Sequence, residues 1–288
     1  MSKIAIMTDT NSGITKEQAE KIGVHLIQMP IIVNKHIYFE DTSISKDGLI
    51  YFMSQGAEVS TSQPSPGCTI KMWDSLLKEY DSVVYIPMSS GLSSACASAK
   101  ALALDYDGRV CVADTHRVSI TMRQCVLDAV NLSEHCDDAN EIVHQLENNA
   151  QNSIIYLGVD TMEYFKKSGR VTPSTAAISS ALNIKPVLFN DGDKFNARAK
   201  VRGMKACKEK MIDAARKELI YRFANVPIED IVVRTAGSFV NVEDAEKWNQ
   251  QVQNAFPSVE VNYDALPCSI VCHTGLNAAG IGISKALR

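Results

Sequence analysis

Apolar positions along the chain alternate between two rhythms. KIAIMTD (3–9), SVVYIPMS (82–89) and GRVCVADT (108–115) are short runs dense in Ile, Val and Ala, as strands buried in a sheet are. Between them lie stretches of helical period. These are ITKEQAEKIG (14–23), with Thr15 placed as a cap and Gln18 three residues on, SKDGLIYFMSQG (45–56), with Leu49, Ile50, Phe52 and Met53 on its apolar side, and SPGCTIKMWDSLLKEY (65–80). SSACASAKALAL (93–104), rich in small residues that pack closely on a sheet, and VSITMRQCVLDAVNL (118–132) continue the series. VHLIQMPIIVN (24–34) and KHIYFED (35–41) read as further strands. Strand and helix in alternation predict a parallel sheet covered on both faces.

A second such region opens near Ser153. SIIYLGVD (153–160) reads as strand, EYFKKSG (163–169) and STAAISSALN (174–183) as helices, and KPVLFNDGDKF (185–195) as a strand entering an Asp-Gly hairpin turn. A long charged helix over 203–223 follows, then strand, helix and strand over 228–266, and CSIVCHTG (268–275) as a last strand leading into a Gly-rich tail. The expected architecture is two α/β domains, 1–150 with a parallel sheet and 151–288, with ligand held in the cleft between them.

Composition narrows the function. Of 288 residues 45% are hydrophobic and 22% charged, the balance of a soluble globular protein, with the charges spread along the chain rather than gathered in tails. Twenty-nine Lys and Arg against 33 Asp and Glu leave a net charge of −4, a field that repels polyanions, so nucleic acid is a poor partner. MSKIAIMTDT is too short for a signal peptide and no apolar run reaches spanning length, which predicts a cytoplasmic protein. Eight cysteines without a CxxC pair read as free thiols, and the Cys268, Cys272 and His273 cluster fits no usual zinc spacing, so no metal and no cofactor is expected.

What remains is a set of hydroxyl-rich segments: TDTNSG (8–13), STSQPSPG (60–67), PMSSGLSS (87–94) and VADTHR (112–117). Each is read as following a strand, and strand ends of a parallel sheet form the ligand crevice, so the four are expected to converge there. Helix N-termini with Ser or Thr donors suit an anion without adding charge. A diphosphate would call for a Gly-rich cradle with Lys or for GxGxxG, and neither is present, so a carboxylate fits better. Any one of these loops is also explained by helix capping alone. The case for a ligand is their convergence.

The segments IMTDTNSG, STSQPSPG, SSGLSSACASA, KKSGRVTPSTAAISSALNIKPVL, KVRGMKA and HTG, in this order, make the sequence similar to the DegV family of bacterial fatty acid-binding proteins, which include the binding subunits of fatty acid kinase. The resemblance implies one long-chain fatty acid held between two α/β domains, its carboxylate pinned by Thr61 and Ser93, with His273 near the head group; Ser62, which also reads as a cap or turn former, and Gly91, from the same two loops, complete the candidate ligand-binding set. It implies a carrier rather than an enzyme, presenting the acid to a separate ATP-using kinase subunit that makes the acyl phosphate, with transient membrane contact as a further partner. Arg170 and Arg202 match the family's cations at the head-group mouth or partner surface. Burying about 15 methylenes at about 0.8 kcal/mol each supplies the affinity.

Three departures from the family pattern stand out. HTGLNAAGIG replaces an HTGPG-like ending at Leu276 and Asn277, Met122 and Arg123 stand where small residues are usual, and GLSSACASA has Ser-Ala-Cys where an aromatic often follows. The rival reading is a serine hydrolase acting on an acyl ester through Ser93 and His273, although GLSSA is one residue off the GxSxG elbow. A phosphotransfer enzyme acting alone lacks both a metal site and a nucleotide loop in this sequence.

Overall fold

The computed structural model describes residues 2–178 and 183–288. The N-terminal half is built on a parallel sheet of order β2-β1-β6-β7, with β1 Ile4–Asp9, β2 Val24–Ile27, β6 Ser82–Ile86 and β7 Val110–Val112. Val83, Val84, Ile86 and Met7 are fully buried because helices cover both faces, which is why these strands read as unbroken apolar runs. The helices are α1 Lys16–Lys21, α3 Pro66–Leu76, α4 Ala95–Ala103, α5 Ser119–Ser133 and α6 Ala139–Asn148. Thr15 and Gln18 form the predicted capping box, and Ser65 caps α3 by accepting from Cys68 N–H at 3.2 Å.

Between β2 and β6 the chain makes a smaller unit: β3 Ile31–Val33, β4 His36–Tyr38, helix α2 Lys46–Ser54 and β5 Val59–Thr61, the strands forming an antiparallel sheet of order β4-β3-β5. Here the expectation of four equivalent loops is corrected. Ser60 and Thr61 lie within β5, opposite Ile32 and Ile31, because Val59 and Thr61 alternate with Ser60 as an edge strand does. The other three segments do follow strands of the parallel sheet.

The C-terminal half carries β8 Ser153–Gly158, α7 Glu163–Ser168, α8 Pro173–Ala176, β9 Ile184–Asn190, β10 Asn196–Arg202, α9 Gly203–Tyr221, β11 Ile231–Gly237, α10 Val242–Ala255, β12 Val261–Ala265, α11 Cys268–Thr274 and β13 Ala279–Lys285. Its sheet, β10-β9-β8-β13-β11-β12, is mixed, with β11 and β12 its parallel pair, so this half does not repeat the parallel plan of the first. Of the helix read over 174–183, residues 179–182 lie outside the described residues.

CSIVCHTG is not a strand. It folds as α11, started by Pro267 in extended conformation and by the Glu40 carboxylate, which accepts from Cys268 N–H with both oxygens at 3.0 Å. Cys268, Val271 and Cys272, at helical spacing, are buried against the β3–β5 unit. The last strand is instead the Gly-rich tail, β13, inserted antiparallel between β8 and β11. A Cβ on Gly282 would stand 2.7 Å from the Ile120 side chain, so the missing side chain is what lets α5 lie on this sheet. Through that contact one apolar cluster joins Ile31 and Leu49 of the small unit, Ile120 and Met122 of α5, and Leu157 and Phe165 of the C-terminal half.

Candidate ligand site

Three elements from distant parts of the sequence meet above this cluster. Thr61 comes from β5, His273 from α11 and Ser93 from the turn before α4, and with Asn11, Ser62 and Arg170 they line one polar recess. Thr61 Oγ1 and His273 Nε2 are 2.8 Å apart, a hydrogen bond across 212 residues of sequence. Gln63 ties two of the hydroxyl segments together, accepting from Ser94 Oγ at 3.0 Å and donating to Ser98 Oγ at 3.1 Å. Asp9, buried at the end of β1, accepts from Asn11 N–H at 2.8 Å and Met88 N–H at 3.0 Å, and burial raises its pKa to about 6.

The recess opens onto an apolar cavity, with Met88, Arg170 and His273 lining both. Val118, Leu157, Phe165, Phe195, Leu266 and Ile270 are among the cavity's walls. An amphiphile with a short polar head and a long apolar tail matches this pairing of a hydroxyl-lined recess and a dry extension.

The electrostatics favour an anion held by neutral donors. Burial, and then the Arg170 charge, lower the His273 pKa to about 4, so the imidazole is neutral near neutral pH. Arg170 is the one formally charged residue lining the recess among the described residues, and burial lowers its pKa. Two of its five N–H groups hold backbone, Nε donating to the Leu92 carbonyl at 3.3 Å and Nη1 to the Ser168 carbonyl, and its charge supplies field at the recess.

A family assignment settles the frame for these residues. The family model described as "Uncharacterised protein, DegV family" matches residues 3–286. The chain belongs to the DegV family. A DegV domain-containing protein of Deinococcus radiodurans is 32% identical over 203 residues, 70% of this chain and 72% of the relative. One from Streptococcus pneumoniae is 26% identical over 283 residues, 98% of each chain. Among solved structures, a DegV family protein from Thermus thermophilus, described by its fatty acid binding, superposes with a TM-score of 0.87 at 26% identity, covering 98% of this chain and 99% of its own. A stearic acid-binding protein from Eubacterium ventriosum shares the fold at 21% identity, TM-score 0.87, over 99% of this chain and 98% of its own.

Within the DegV frame the candidate residues separate. Thr61, Ser62, Ser93, His273 and Arg170 share the recess. Gly91 lies outside it, where a Cβ would come within 2.6 Å of Asp193 Cα, so this glycine serves the contact between the β6–α4 loop and the β9–β10 hairpin tip. Ser89 Oγ, donating to the Gly192 carbonyl at 2.5 Å, belongs to the same contact. Arg202 is exposed where β10 meets α9 and lines neither the recess nor the apolar cavity. Ser93 Oγ accepts from Ala95 N–H at 3.2 Å, while the ring nitrogen a hydrolase would need against it is bonded to Thr61. Asn11, Met29, Gln63, Met88 and Ser94 are the lining residues that sequence reasoning misses. Asn11 sits in TDTNSG, where hydroxyls draw the attention, and Met88 carries no signal until β6 and α11 are placed.

Proposed function

We propose that this protein binds one long-chain fatty acid, its carboxylate in the recess against Thr61 and Ser93 and its alkyl chain in the apolar cavity between the 1–150 and 151–288 domains. The observation that carries the reading is the continuity of a hydroxyl-lined recess with an apolar cavity at Met88, Arg170 and His273. The fatty acid binding described for the Thermus thermophilus relative supports it. Neutral hydroxyls return roughly 1.5–3 kcal/mol each to a charged acceptor without masking its oxygens in a salt bridge, which suits a carboxylate awaiting transfer chemistry. The protein is then a carrier that presents the acid to a separate ATP-using kinase subunit in the cytoplasm, with exposed Arg202 available to that partner. No contact between Ser93 and His273 favours the hydrolase alternative.

The test is lipid mass spectrometry on protein purified from bacterial cells, then denatured and extracted. Stoichiometric fatty acid in the wild type and a large loss in Thr61→Ala/Ser93→Ala is the expected result. An empty wild type that also takes up no added fatty acid refutes the proposal.

A further inference from the structure

One buried donor at the recess has no partner. Asn11 is 1% exposed and lines the recess beside Thr61 and Ser93, and two of its polar groups are accounted for: its N–H donates to Asp9 Oδ1 at 2.8 Å and its Oδ1 accepts from Ser269 Oγ at 2.7 Å. Its Nδ2 is buried and makes no hydrogen bond. Ser269 is itself 2% exposed and sits on α11, the helix that carries His273, so the amide's orientation is set by the same element that positions the imidazole. A buried side-chain amide left half satisfied is disfavoured unless something else completes it.

We infer that Asn11 is a third neutral donor to the ligand head group, oriented by Ser269, and that it makes the recess select an acceptor-only carboxylate over a hydroxyl head group. The inference rests on the fatty acid reading above and extends it to head-group specificity. An amide whose oxygen is already taken presents only N–H groups. A carboxylate accepts from these with either oxygen, whereas an alcohol offers a single oxygen that must also place its own proton among the surrounding hydroxyls. Ser269 is a positioning residue: it acts on the ligand through the amide it holds. Asp9 holds the backbone of the same residue and of Met88, so the loop after β1 is pinned at both ends of the recess wall.

The experiment compares binding of palmitic acid and of hexadecanol to delipidated wild type, Asn11→Ala, Asn11→Asp and Ser269→Ala. Loss of a hydrogen bond to a charged acceptor predicts about tenfold or greater weakening for the acid in Asn11→Ala. Asn11→Asp, which puts an acceptor and a negative charge in the donor's place, is expected to weaken the acid further while hexadecanol changes little, so the acid-to-alcohol preference falls. Ser269→Ala is expected to reduce that preference less, and a purely structural role would lower melting temperature and leave the preference unmoved. An unchanged preference in folded Asn11 variants overturns the inference. If neither Asn11 variant folds, Ser269→Ala decides, an unchanged preference again overturning it. A wild type that binds neither ligand overturns both this inference and the fatty acid reading, whereas wild-type acid binding with unmoved variants removes Asn11's role alone.

Discussion

At the scale of single residues, His273 shows how burial sets chemistry. Its pKa of about 4 lies below the ordinary value, so between about pH 4 and 6.5 the unfolded chain binds a proton that the native protein refuses. This contribution to stability is full above that window and falls as pH drops through it. Asp9 and Asp128, both raised to about 6 by burial, act with the opposite sign, since the native state holds their protons between about pH 4 and 6. The separate effect of the imidazole therefore appears as a difference. Denaturant unfolding of wild type and His273→Gln at pH 7 and pH 4.5 is expected to show a smaller acid loss in the variant, and an equal loss in both would contradict a neutral His273. Thr61, Ser93 and Arg170 are readable as candidates from their segments. Their meeting with His273 depends on α11, whose sequence reads equally as a strand.

At the scale of elements, the contact between the β6–α4 loop and the β9–β10 hairpin tip controls where Ser93 sits. Gly91→Ala would place a methyl 2.6 Å from Asp193 Cα and 2.8 Å from the Gly192 carbonyl, both backbone, so the side chain cannot be accommodated by a rotamer change. A loss of about 1–3 kcal/mol in unfolding free energy is expected, with weaker fatty acid retention, checked by chemical denaturation and by lipid extraction. A variant as stable as wild type would mean the two loops part at little cost. The Asp-Gly turn at 191–192 is visible in the sequence as a hairpin signal, but nothing local says which loop its tip will touch. The same limit explains α11. Its seven residues are apolar enough for either assignment, and Glu40, which caps the helix from 228 residues away, decides it.

At the scale of the whole molecule, Arg123 joins the two halves. Its Nη1 donates to the Gly13 carbonyl at 3.1 Å and Gln18 Oε1 at 2.9 Å, and stands 3.7 Å from Asp264 Oδ1 on β12, which Arg234 holds at 2.6 Å. This cation fastens the loop following β1 to the C-terminal sheet. Arg123→Ala leaves Asp264 paired with Arg234, so a loss of about 1–3 kcal/mol is expected in denaturant unfolding, with coupling between Arg123→Ala and Asp264→Asn in a double-mutant cycle. Additive effects would show that the halves are held elsewhere. The α/β class, the parallel N-terminal sheet, the cap at Thr15 and the family are legible in the chain's linear pattern, because they follow from local period, local hydrogen bonding and the order of short motifs. The mixed C-terminal sheet, the helix at 268–274, the position of Gly91 outside the recess and the entry of Asn11 into it come from the tertiary fold. Each of those depends on contacts between residues far apart in the chain, and a one-dimensional pattern carries no term for them.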